Sequence, residues 1–198
     1  MDSLILILDY IKFQVEINYY FSIFFLFIFL LIYNSFSIPG NTIFMAASGY
    51  FFGIFIGYLI SILTIVFGSL LFFIFSSFFL KKFSPKTLIK YSNKVDVYIS
   101  NSSIEYLIIF RMIPGPPLFL QNLILSFLNV PKIKFIFSSL IGFTPLVFLL
   151  VFFGHQLTNF DNIKNFEIKD IFSFKILIFV FLFLLFLILR IYLKKKKK

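Results

Sequence analysis

The sequence predicts an all-α integral membrane protein with four transmembrane helices, two re-entrant helical hairpin segments and one interfacial amphipathic helix. Three observations carry this prediction. Apolar residues make up 61% of the 198 residues and charged residues 13%, more apolar surface than a soluble domain can hide. The apolar residues fall in blocks of about 20 or more, the length a helix needs to cross a hydrocarbon core. Basic residues cluster near the block ends and in the run Lys194 to Lys198, so the net charge of +10 reads as topology-setting charge rather than a nucleic-acid footprint. The chain has no cysteine, which excludes disulfides, thiolate metal sites and cysteine nucleophiles.

Taken in order, residues 1–16 carry Asp2, Asp9, Lys12 and Glu16, lack the basic start of a signal peptide, and read as a cytoplasmic N-terminus. Ile17 to Tyr33 is then an uncleaved first span, opening a membrane domain over 17–193. The turn signal Ser37-Ile38-Pro39-Gly40-Asn41 follows, and after it an apolar stretch from Thr42 to Leu80, too long for one span. Its first part holds Ala46, Ala47, Gly49, Gly53 and Gly57, small residues that permit close backbone approach, and is the first re-entrant candidate; Tyr58 to Leu80 is a conventional span. Lys81, Lys82, Lys86, Lys90 and Lys94 mark a basic loop. Within it Ser84 and Pro85 start an amphipathic helix whose stripe, Leu88, Tyr91, Val95 and Tyr98, suits an anionic lipid surface. Ile104 to Val130 is broken by Pro114-Gly115-Pro116-Pro117, which no regular helix tolerates. Phe135 to Phe153, with Pro145 inside, and Ile171 to Leu193 complete the spans, and 194–198 is a polylysine tail.

Charge parity selects the second re-entrant segment. The positive-inside rule puts both the 81–94 loop and the 194–198 tail in the cytoplasm, so an even number of crossings separates them. Three apolar segments lie between, and the proline-broken 104–130 is the one expected to enter and return. Both termini are then cytoplasmic, with the cell membrane as the expected location.

Between Ile17 and Leu80 there is no Asp, Glu, Lys or Arg, whereas Arg111 stands within the apolar segment 104–130. An arginine at that depth needs protein, water or an anion, and its planar guanidinium suits a phosphate or carboxylate. It precedes the proline break, where unwound backbone lines a cavity rather than lipid. Glu105 is either a proton or cation site or an interfacial carboxylate, and lies well around a helix from Arg111. Gln121 and Asn122 either bind ligand or satisfy freed backbone groups. His155 is the only histidine, so a histidine metal cluster is excluded, and it reads as an interfacial residue. No phosphate loop, nucleophile elbow or metalloprotease motif is present, so neither enzyme activity nor a cofactor is expected.

The ordered set Gly49-Tyr50-Phe51-Phe52-Gly53, then Phe110-Arg111-Met112-Ile113-Pro114-Gly115-Pro116-Pro117 with Asn122, then Gly142-Phe143-Thr144-Pro145 and Gly154, resembles the DedA superfamily. These VTT-domain proteins are also labelled SNARE-associated Golgi proteins. The resemblance covers about 37–157 and looks closest to the Golgi Tvp-like branch. It implies two facing re-entrant hairpins and a link to lipid handling: polyprenyl-phosphate transport in bacterial members, phospholipid scrambling in eukaryotic ones. The candidate substrate-binding residues are Arg111, Pro114, Gly115, Pro116, Pro117, Asn122, Asn41 and Glu105, and the candidate structural ones Pro39, Gly40, Gly49, Gly53, Gly142, Pro145 and Gly154. Members thought to be proton-coupled carry acids near the first hairpin, where this chain offers only Asn41 and Thr42 over 39–42. A lipid transporter or scramblase is the leading expectation. A small-solute or ion permease and a structural or trafficking partner are the rivals.

Overall fold

The computed structural model describes residues 2–83, 104–112, 116–128 and 130–158, and every regular element among them is helical. Helix α1 (Asp2–Ile17) meets α2 (Tyr19–Ser35) at Asn18 with a bend of 107°. The N-terminal residues therefore form a helix where the sequence reading had only a polar terminus. Leu4, Leu8, Ile11 and Val15 recur at helical spacing, a periodicity that the scattered charges obscure. α2 is 17 residues, about 25 Å of rise, and reaches span length only when taken together with α1.

Helix α3 (Asn41–Phe83) is two arms joined at Gly53, whose φ of 75° and ψ of 178° lie in a region essentially reserved to glycine. The chain folds back there. Ser48 and Ser61 hydroxyls are 2.7 Å apart, and Ser48 Oγ also donates toward the Gly57 carbonyl at 3.2 Å. In a straight helix the two serines would be about 20 Å apart. The first arm, 41–52, rises about 18 Å, too short to cross a bilayer. The reversal sits at Gly53 rather than beyond Gly57, so the long arm starts earlier than the predicted span at Tyr58. Sequence alone could not choose among the clustered glycines, since only backbone torsion distinguishes the turn from the packing positions.

Helices α4 (Ile104–Met112) and α5 (Leu118–Phe127) flank the proline break, and α6 is Lys132–Gln156. α4 and α5, of 9 and 10 residues, each rise only about 15 Å. α6 carries Pro145 inside it; beside it the Thr144 hydroxyl donates to the Leu140 carbonyl at 2.7 Å and lies 2.9 Å from Tyr58 Oη. Among the described residues two helices, α3 and α6, are long and apolar enough to cross a membrane, and a third crossing follows if the bent α1–α2 pair is one span. The fourth predicted span, 171–193, and the interfacial helix with Lys86, Lys90 and Lys94 lie outside the described residues, as does the 194–198 tail.

The core is organised for lipid rather than water. Met45, Ile65, Phe143, Val147 and Val151 bind both arms of α3 to α6, and Phe73, Leu107, Leu125 and Phe135 bind the second arm to α4, α5 and α6. Gly49 and Gly154 let these backbones touch: a methyl at Gly49 would collide with the Val151 carbonyl, and one at Gly154 with the Ala46 carbonyl. Small hydroxyl residues such as Ser48, Ser61, Thr64, Ser126 and Ser138 are fully buried, while Phe21, Phe24, Phe55, Phe75 and Phe137 face outward. Polar-small inside and large apolar outside is the arrangement lipid exposure permits.

Candidate functional site

The loop 36–40 between α2 and α3, with the start of α3, faces the end of α4 and the residues Pro116 and Pro117 that lead into α5. Between them and α6 lies a cavity of about 640 Å³, within the ~300–1,000 Å³ of pockets that accept drug-sized ligands. Pro39, Gly40, Asn41, Arg111, Pro116 and Pro117 line it, and Phe143, Leu146, Val147 and Leu150 form its apolar wall.

Arg111 occupies the last turn of α4, 2% exposed. Its Nη1 donates to Asn122 Oδ1 at 2.7 Å and toward Gln121 Oε1 at 3.4 Å, both on α5. Residues 111 and 122 would be about 16 Å apart on a continuous helix, so this bond shows that the chain turns between α4 and α5 and brings Asn122 within reach of the Arg111 side chain. The guanidinium carbon sits 4.6 Å from the Phe135 ring centroid and 5.0 Å from that of Phe143, a desolvated cation–π arrangement worth about 2 kcal/mol. Gly142 makes room beneath it: a methyl there would lie 2.5 Å from Arg111 Cβ. Nε and Nη2 are buried and find no hydrogen-bond partner among the described residues.

Asn122 links Arg111 to the loop between α2 and α3. While its Oδ1 accepts from Arg111, its Nδ2 donates to Ser37 Oγ at 2.9 Å. Ser37 is held at a φ of 50°, left-handed for a non-glycine residue, and Gly40 at 101° completes the loop. Asn41 Nδ2 donates to Asn34 Oδ1 at 2.7 Å, linking the start of α3 to the end of α2. Of the two roles the sequence reading left open, Gln121 takes the satisfying of freed backbone, its Nε2 donating to the Pro116 carbonyl at 3.3 Å, while its Oε1 faces Arg111.

Of the residues singled out in the sequence, Pro39, Gly40, Asn41, Arg111, Pro116 and Pro117 thus meet at one cavity, with Asn122 and Gly142 packed behind Arg111. Glu105 is 2% exposed on α4 and does not line the cavity. Pro114 and Gly115 fall outside the described residues. His155 is half-buried in the last turn of α6. Sequence reasoning missed Asn34 and gave Ser37 no role beyond a turn; an asparagine ending an apolar span was the available signal for the first.

These features define a class: a membrane protein, all-helical among the described residues, with α3 folded back at Gly53 and a cavity beside the proline break that carries a buried arginine. The chain belongs to the VTT domain family, whose sequence model matches residues 38–156, and so is a DedA/VTT-type membrane protein. The match is to the domain as a whole and does not select the Golgi branch. No curated protein and no solved structure matches the chain.

Proposed function

We propose that this protein is a non-enzymatic transporter or scramblase that moves phosphate-bearing lipids across the bilayer, with Arg111 engaging the phosphate. The observation carrying this reading is the state of that arginine: buried, bonded to neutral amide oxygens, and set in the wall of a mostly apolar cavity. Nε and Nη2 share one edge of the guanidinium and present parallel N–H bonds, the geometry that grips two phosphate oxygens at once. Each buried donor left unpartnered costs about 1–3 kcal/mol, so a phosphate accepting from both relieves a standing penalty. Both nitrogens are covered, so capture requires the guanidinium to turn toward the cavity. The apolar wall receives the start of an acyl or prenyl chain.

The same reading places the protein as a multi-pass component of the cell membrane with both termini cytoplasmic. The basic 81–94 stretch and the 194–198 tail support it, since Lys86, Lys90 and Lys94 would rest on anionic lipid there. The test is reconstitution into liposomes containing acyl-labelled phospholipid or polyprenyl phosphate. Faster transbilayer movement than in empty vesicles is expected, and equal rates would sink the proposal.

A further inference from the structure

The charge inventory of the cavity narrows its ligand, granted the transport reading above. Among the described residues lining the cavity, Arg111 is the one ionisable side chain, and no carboxylate is present. The groups that hold Arg111, Gln121 and Asn122, are amides, so its positive charge is not spent on a protein anion. A headgroup whose phosphate reaches Arg111 brings whatever it carries into this same wall.

Two kinds of headgroup fare differently there. An ammonium a few ångströms beyond the phosphate loses its hydration, meets no carboxylate, and lies near a like charge in a poorly screened site. Of the lining phenylalanines, Phe143 already has the guanidinium over it, and Phe36 and Phe119 are exposed rather than enclosed. Hydroxyl substituents, by contrast, find Ser37, Asn41, Thr42 and Gln121 on the lining as donors and acceptors. We propose that the cavity selects lipids of net negative headgroup, the phosphate bare or bearing only hydroxyls, over lipids whose phosphate carries an ammonium.

The experiment uses the full chain in vesicles holding acyl-labelled phosphatidylglycerol or acyl-labelled phosphatidylcholine, with transbilayer movement read by quenching of outer-leaflet label. Phosphatidylglycerol is expected to move at least about tenfold faster, the factor that about 1.4 kcal/mol of discrimination gives. Movement of both at equal rates above empty vesicles, or faster movement of phosphatidylcholine, overturns this inference and leaves the transport reading standing. Movement of neither overturns both. Gln121→Glu, nearly isosteric, sets a carboxylate beside Arg111 and is expected to lower the ratio of the two rates at least threefold. An unchanged ratio in that variant overturns the claim that lining charge makes the choice.

Discussion

Replacing Gly142 by alanine tests whether the packing beneath Arg111 serves the cavity. The added methyl would lie 2.5 Å from Arg111 Cβ and 3.0 Å from the Ile108 carbonyl oxygen, against ~3.5–4.0 Å for an ordinary carbon contact. Neither obstacle is the flexible end of a side chain, so α4 must retreat from α6 by roughly 1 Å. If α5 does not follow, the 2.7 Å bond from Arg111 to Asn122 stretches beyond ~3.2 Å, outside good geometry. Overpacking of this kind costs about 1–3 kcal/mol, and a positioned group displaced by about 1 Å can lose up to ~100-fold in rate. The assay pairs thermal unfolding in detergent with lipid movement in vesicles at matched protein. We expect a thermal midpoint lowered by a few degrees and movement reduced about 10- to 100-fold. A folded Gly142→Ala protein moving lipid at the wild-type rate would refute the reasoning.

Three further outcomes follow from the geometry. Ser48→Cys with Ser61→Cys, in a chain without native cysteine, is expected to form an intramolecular disulfide on mild oxidation, because the two hydroxyls are 2.7 Å apart; a straight α3 would hold them about 20 Å apart and give none. Gly53→Ala meets no steric obstacle within 4 Å, yet its backbone conformation should cost about 1–3 kcal/mol, visible as a lowered thermal midpoint; an unchanged midpoint would show that the turn relaxes. Asn122→Ala removes both the Arg111 acceptor and the bond to Ser37, and is expected to lower stability by about 1–3 kcal/mol and slow lipid movement, while wild-type values for both would remove it from the site.

The fold and the cavity were unequally legible in the sequence. A cationic side chain within an apolar segment is costly wherever it sits, and three prolines with a glycine cannot continue a helix, so Arg111 and the 113–117 break announce themselves by composition. The first hairpin was visible as a run of small residues, but its turn was not, since Gly49, Gly53 and Gly57 look alike until a torsion at 53 and close contacts at 49 and 57 separate them. Ser37 and Asn34 were hidden for another reason. Their roles depend on partners 85 and 7 residues away, and short polar residues at a turn have too many local uses to reveal a distant bond. The N-terminal helix was not legible because its scattered charges obscure an apolar spacing that ends at the bend into α2.

The most direct measurement compares Arg111→Ala with the wild-type protein for transbilayer movement of an acyl-labelled phosphate lipid, with folding of both verified by their elution and helicity. If Arg111 engages the phosphate, the variant moves lipid no faster than empty vesicles while the wild type does. A folded Arg111→Ala protein with wild-type movement would contradict the account.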